Sequence, residues 1–543
     1  MRATVFKIRK CHLLFFAFLP SILLAGPFDY WQQKADYKIN VSLDDENHFL
    51  RGDITIEYTN NSPSSLEYIY MHLWPNAYKN LNTAYAIQKR ENGDLRFYDS
   101  DMADRGYIDS INFRIDNANA KYELHPKYID VVKLILNRPL EAGKKCVIST
   151  PFKVKIPKTF SRMGHIDQDY QISQWFPKPA VYDQKGWHPM PYLDQGEFYS
   201  EYGSFDVSID LPSNYVVGAT GVLQNEDELE WLNKEAEATE ALLDNGDQYK
   251  NDFLKREGRK VLHFVQDNIH DFAWFAGKNY KVRKKIAELE SGKKVTVWSL
   301  FYKEDLSVWR QATDYASDAL VKYSKWIGDY PYDNCTVVEG PLEAGGGMEY
   351  PMVTIITSKI SKPKFLDEVI THEVGHNWFY GILGSNERAH PWLDEGLNSF
   401  YERRYTIEKY GHDMAMPKGI SKIFDAEEID LRSLAYLIQV NRLKAQEIGL
   451  HSEKFSDANY GVMVYMTTPL MLEGLQTYLG REEFDELMQK YFTTWKFKHP
   501  QPESLEGIFE SSGKNLDWFF NDIIQTTDNI NYKLVKKLKK EKT

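Results

Sequence analysis

Cysteine is nearly absent, with three in 543 residues. That excludes a disulfide-stapled scaffold, and none of Cys11, Cys146 and Cys335 has metal-ligand spacing to another cysteine. A bridge between Cys146 and Cys335 is permitted in an oxidising compartment but nothing in their spacing demands one, so two free, partly buried thiols are expected. A basic surplus is also missing: 66 Lys and Arg stand against 78 Asp and Glu, a net charge of −12. No Lys/Arg-rich patch is interleaved with aromatics, so nucleic acid is not an expected partner. Long apolar runs are confined to the start of the chain. Arg2, Lys7, Arg9 and Lys10 precede an apolar stretch from Cys11 to Leu24, and Ala25-Gly26 offers small residues for cleavage. Residues 1–26 read as a secretory signal peptide, and the protein is expected to be exported, to a periplasm or the exterior. No later segment reaches eighteen apolar residues, so no stable membrane span is expected after that leader is removed.

What is present is enough hydrophobic material, 43% of the chain, for two or three domains. From Tyr37 the pattern has period two. Tyr37–Leu43 and Gly52–Tyr58 alternate, and strand-like runs follow at Val131–Leu136, Cys146–Ile156, Phe205–Leu211 and Tyr215–Val222. Turn sequences separate them, so residues 27–285 are expected to form an antiparallel β-sandwich or saddle domain. An acidic, Ala/Leu/Glu-rich stretch at about 226–247 reads as an exposed helical insertion. Residues 286–528 change character. A strand is expected at Val295–Phe301, a helix from Asp305 to Ile327, strands at Cys335–Val338 and Met352–Ile356, and late helices at Glu482–Trp495 and Ser504–Ile524. A Lys-rich tail, 529–543, closes the chain.

The densest chemistry lies in this second part. His372-Glu373-Val374-Gly375-His376 is an H-E-x-x-H motif. Positions four apart share one helix face, so both imidazoles can reach one metal ion, with Glu373 beside them as a proton acceptor. A catalytic zinc takes a third protein ligand and keeps a fourth position open. Glu395, after eighteen intervening residues, supplies a carboxylate at the start of a second helix. Glu402, two turns further along that face, is placed to hold a ligand imidazole from behind. Upstream, Gly345-Gly346-Gly347-Met348-Glu349 lets a backbone approach closely and ends in a carboxylate. The loop is flanked by strands, so Gly346 and Gly347 can pair main chain to main chain with an extended peptide.

HEVGH, eighteen residues, Glu, with G-x-M-E upstream, resembles the aminopeptidase N family of gluzincin metallopeptidases, which includes leukotriene hydrolase. The resemblance implies a thermolysin-like, mainly helical catalytic domain behind the β-domain, an α+β whole. It implies one zinc ion per chain on His372, His376 and Glu395, with Glu373 as general base and proton shuttle. Glu349 would bind the free α-amine of a peptide substrate, and Gly346 and Gly347 would line its backbone. The family usually has Asn after that Glu, and here stands Tyr350. A tyrosine some sixty to seventy residues after the zinc Glu should hold the oxyanion. Tyr460 and Tyr465 both qualify, and counting back from Leu479-Gly480 favours Tyr465, although the family's Lys-Gly is replaced by Thr467-Thr468. A substrate-contacting Gln or Glu from the β-domain is also implied. Gln171 and Gln174 are candidates, with a packed loop as the alternative. The expected activity is a zinc-dependent aminopeptidase. A thermolysin-type endopeptidase and a catalytically silent peptide-binding relative are the other readings.

Overall fold

The computed structural model describes residues 30–245, 256–343, 345–411, 431–442 and 444–528. The expected leader, the Lys-rich tail and the last residues of the acidic insertion lie outside them. The alternation near the start of the described chain gives a strand, Lys34–Asp44, whose Ala35, Tyr37, Ile39, Val41 and Leu43 all point into the core. It is central to a nine-stranded sheet. Phe49–Thr59 and then Lys145–Lys155 follow it on one side in antiparallel pairing. Gly203–Pro212 lies on its other side in parallel register, so this part of the molecule is mixed rather than purely antiparallel. Two four-stranded sheets and a two-stranded one, Tyr182–Asp183 with Gly186–Trp187, complete the N-terminal part. The expected strand Tyr215–Val222 is broken into Val216–Ala219 and Val222–Leu223, which join different sheets across Gly221 at φ 89°.

The acidic stretch does form a helix, Glu226–Asn245, but one face is packed. Leu232 and Ala236 join an apolar cluster with Val216, Phe275 and Leu300. Buried Glu228 is held by Lys260 and Arg256. The period that makes a helix amphipathic is what turns this insertion onto the body of the protein.

The chain enters the second part between Gly277 and Tyr280, so the expected boundary near 285 falls inside a strand, Tyr280–Glu288. That strand begins a five-stranded sheet, in the spatial order Tyr280–Glu288, Lys294–Tyr302, Asn334–Gly340, Val353–Thr357, Gly347–Tyr350. The glycine loop therefore leads directly into an edge strand. The expected helix Asp305–Ile327 is two pieces, Leu306–Trp309 and Ala312–Trp326. The expected helix Ser504–Ile524 likewise divides, into Pro502–Glu510 and a π-helical turn Trp518–Ile523, with Gly513 at φ 73° between them. One continuous hydrophobic core runs from the strands of the N-terminal part into the helices. Six indoles, Trp74, Trp175, Trp274, Trp309, Trp378 and Trp392, are fully buried in it. Burial of one such side chain contributes on the order of 3 kcal/mol.

Candidate metal centre and substrate cleft

The helix Pro363–Gly375 starts cleanly because Pro363 occupies its first turn, where a missing N–H goes unnoticed. Leu366, Ile370 and Val374 recur every four residues and are buried in the core. The face carrying Val369, His372, Glu373 and His376 lines a cleft of about 440 Å³. After a loop and a short 3-10 turn at Pro391–Leu393, a second helix, Glu395–Tyr410, brings Glu395 to the same cleft. Asn398 on that helix donates its Nδ2–H to the His372 carbonyl at 2.7 Å and so couples the two helices.

Three donor atoms converge. His372 Nε2 lies 3.1 Å from His376 Nε2 and 3.1 Å from Glu395 Oε2, and His376 Nε2 lies 3.2 Å from the same oxygen. Atoms tetrahedrally bound to one zinc at about 2.0–2.1 Å stand about 3.3 Å apart, so this triangle fits the ion. The other ring nitrogens are spoken for. His376 Nδ1 faces Asp394 Oδ1 at 2.7 Å, and His372 Nδ1 faces Glu402 Oε2 at 3.3 Å. Protons on both Nδ1 atoms leave both Nε2 lone pairs aimed at one point beside a carboxylate oxygen. Such an arrangement calls for positive charge. Burial opposes charge on His372, yet Glu395 and Glu402 raise its pKa to about 10. Burial also opposes ionisation of Glu395, but His376 and His372 hold it well below the usual carboxylate range. In the absence of a cation the cluster draws protons, and a divalent metal at its centre satisfies all three donors.

Glu373 is buried behind this triangle and its Oε2 has no hydrogen-bond partner. Burial is the main reason its pKa rises to about 7; His372 and His376 pull it down, and Glu395 pushes it up. A Cβ on Gly347 would collide with the Glu373 carboxyl. Glycine at 347 is thus required by the carboxylate behind it. Gly346 has room for a Cβ, with Val369 the nearest neighbour at 3.7 Å, while Gly345 needs its left-handed freedom at φ 135°.

Glu349 lines the cleft, 4% exposed, with Oε1 unpartnered. It offers an oxygen within 4.8 Å of oxygen or nitrogen atoms from Glu373 and His376, and likewise from Asp394 and Glu395. Burial drives its pKa well above the ordinary value, and Glu197, Glu373 and Glu395 add repulsion against the pull of His376. Two like charges at 4 Å repel by about 4 kcal/mol at an effective dielectric of about 20, so the acids of this site coexist by taking up protons or by holding cations among them. Beyond it Glu387 is fully buried with both carboxylate oxygens unpartnered.

Tyr465 lies in a π-helix, Tyr460–Thr467, whose wider turn brings residues five apart towards one face. Both Tyr460 and Tyr465 accordingly line the cleft, ring edge to ring face at 5.8 Å. Of the two, Tyr465 reaches the metal cluster: its hydroxyl donates to Glu395 Oε1 and its ring stacks beside His372.

Among the β-domain candidates, neither Gln171 nor Gln174 lines the cleft. Gln171 donates to the Ser161 carbonyl at 2.9 Å, and Gln174 lies 3.4 Å from the Tyr350 hydroxyl, both buried. The β-domain wall is made by Gly196-Glu197 and Arg162. The two side chains are ion-paired, and Arg388 fastens this wall from behind through the Glu197 and Gly196 carbonyls. Sequence reasoning passed over Glu197, Asp394 and Arg432. Asp394 alone carried a signal, being the neighbour of Glu395.

Residues 312–523 match the Peptidase family M1 domain. Among curated proteins, leucine aminopeptidase 2 of Emericella nidulans is 30% identical over 201 residues, and that of Aspergillus oryzae 29% over 205. These stretches cover 36% and 35% of this chain, and span only 30% and 32% of the relatives' own length. Among solved structures, the M1 zinc metallopeptidase of Deinococcus radiodurans superposes with a TM-score of 0.59 at 13% identity, over 92% of this chain and 95% of that one. Another structure of it is a mutant bound to a Tyr-Ser-Ala substrate, with the same TM-score. Aminopeptidase A of Legionella pneumophila, in complex with aspartic acid, gives 0.60 at 14% identity, covering 91% of this chain and 50% of that one. At such identity these likenesses speak for the fold. Residues 312–523 thus match a peptidase family M1 domain, and the chain shares the multidomain fold seen in an M1 zinc metallopeptidase.

Proposed function

We propose that this protein is a zinc-dependent aminopeptidase that removes single residues from the free N-terminus of peptides. The observation that carries the reading is Glu349: a buried carboxyl group with an unpartnered oxygen, lining a cleft that contains a cluster of three possible metal donors. A substrate ammonium supplies the cation that this carboxylate lacks. It also fixes the first peptide bond near His372, His376 and Glu395, and leaves no path for a chain to extend past it.

Zinc held by those three residues would polarise the scissile carbonyl and make water a nucleophile near neutral pH. Glu373, poised at about 7 by burial, accepts the proton from the attacking water and returns it to the leaving amine. The Tyr465 hydroxyl, on Glu395 in the free protein, donates to the oxygen on which charge develops. The peptide backbone runs beside the edge strand Gly347–Tyr350, where Gly346 leaves room for it.

The basic residues Arg2, Lys7, Arg9 and Lys10 ahead of the apolar run Cys11–Leu24 support export to a periplasm or the exterior. An acid-lined cleft supports cationic amines over nucleic acid as the bound species. The deciding experiment compares aminoacyl fluorogenic amides with their N-acetylated forms, with and without a chelator. Cleavage of the free-amine substrates alone, abolished by chelation and restored by zinc, is expected. Equal cleavage of acetylated peptides removes the amine anchor and favours an endopeptidase.

A further inference from the structure

The guanidinium of Arg432 is 2% exposed, yet it belongs to neither the metal triangle nor the amine anchor. It opens the helix Leu431–Asn441, which packs on the π-helix carrying Tyr465. Its Nη1 donates to the Tyr465 main-chain carbonyl at 2.6 Å, and its Nη2 to Glu402 Oε1 at 3.3 Å. The other oxygen of Glu402 faces His372 Nδ1. One planar group therefore touches two arms of the site. Through Glu402 it reaches the ring that presents Nε2 to the metal. Through the backbone of residue 465 it reaches the hydroxyl that lies on Glu395.

We infer that Arg432 is a positioning residue, which keeps Glu402 aimed at His372 while setting the depth of Tyr465 in the cleft. The physical reasoning is specific to arginine. The hydrogen bond from Arg432 fixes one oxygen of Glu402, which turns the other towards His372 Nδ1 and leaves Nε2 facing the metal position. In a π-helix the carbonyl ladder is irregular, and an outside donor pins the turn. Only a guanidinium offers two donors in fixed directions for both tasks, whereas an ammonium is a point charge.

This inference rests on the proposed metal site, and its test separates the two. Arg432→Met, Arg432→Lys, Glu402→Gln and the double variant Glu402→Gln/Arg432→Met are compared with the parent. Zinc dissociation constants are read by chelator competition, kcat and KM at saturating zinc, and Tm by circular dichroism. A parent that binds no zinc overturns the proposed function itself. Given zinc binding by the parent, Arg432→Met is expected to lose about 10–100-fold in zinc affinity. At saturating zinc its kcat is expected to stay depressed with KM little changed. Arg432→Lys should recover zinc affinity more fully than kcat, since a point charge serves Glu402 better than it serves a carbonyl. The double variant should bind zinc no more weakly than Arg432→Met alone, because both changes break one linkage. Additive zinc losses, or a fall in Tm with parental zinc affinity and kcat, overturn the proposal.

Discussion

At the scale of single residues, the site works because groups that repel one another are packed around a place for cations. Glu373 is the sharpest case. It is not among the three converging donors, yet its Oε2 is buried without a partner and its pKa is raised to about 7. Glu373→Gln keeps the shape and removes the base. Zinc content measured by atomic absorption should match the parent, while kcat falls by about 100-fold or more. Turnover close to the parent's would remove Glu373 from the chemistry. A second residue prediction concerns stability. Glu339 is buried in the catalytic sheet, accepts one N–H from Tyr302 at 2.8 Å and leaves its other oxygen orphaned. Burial raises its pKa from 4.5 to about 9. The folded chain therefore holds a proton that the unfolded chain has released over that range. This contribution to stability is complete below about 4.5 and is lost as pH rises towards about 9. Glu339→Gln should flatten the decline of Tm across pH 6–9. Parallel Tm curves for variant and parent would show that Glu339 is ionised in the fold.

At the scale of elements, the edge strand Gly347–Tyr350 and the metal helix Pro363–Gly375 are fitted to each other. The two glycines at their meeting point have different reasons to be glycine. Gly347 cannot bear a Cβ because Glu373 is against it, whereas Gly346 can. Gly346→Ala should leave Tm and zinc affinity at the parental values and raise KM for peptides, since only the approaching backbone meets the added methyl. Gly347→Ala should displace Glu373, lower kcat with little change in zinc affinity, and reduce stability by about 1–3 kcal/mol. The reverse pattern would place the substrate backbone elsewhere. This distinction lay outside the reach of the sequence, in which three consecutive glycines look alike. The helices themselves were legible because the i, i+4 period puts His372 and His376 together wherever the rest of the chain goes. The breaks at Arg310-Gln311, at Gly221 and at Gly513 were not, because a period-based reading runs through a short interruption whose cause is packing on other segments.

At the scale of the whole molecule, the β-domain is part of the site's walls and its supports. Glu197 and Arg162 line the cleft from that side. The Tyr202 hydroxyl donates to the Ile382 carbonyl at 2.9 Å, and buried His499 bridges Glu201 at 3.0 Å and the Gly384 carbonyl at 2.7 Å. These ties fasten the loop between the two metal-binding helices. The two described thiols report on the integrity of that body. Cys146 and Cys335 are free and buried, each pushed up to about 12 by burial. A thiol reagent should therefore find neither in the native protein and both after denaturation. A third thiol in the denatured count identifies a chain that has kept Cys11, which lies in the segment expected to be a leader. Native-state labelling of Cys335 would mean that the second part opens in solution.

The sequence by itself determined the His372, His376 and Glu395 cluster and the carboxylate of Glu373 beside it, because helical periodicity and one loop of eighteen residues bring those groups together through local chain geometry. It also determined the alternating strands, whose inward faces are set residue by residue. Only the tertiary structure decided that Asp394 backs His376, that Glu197 rather than Gln171 or Gln174 walls the cleft, and that Arg432 links Glu402 to Tyr465. Each of these pairs residues through the way separate segments pack, and no local period or spacing encodes the direction in which two distant side chains come to face each other.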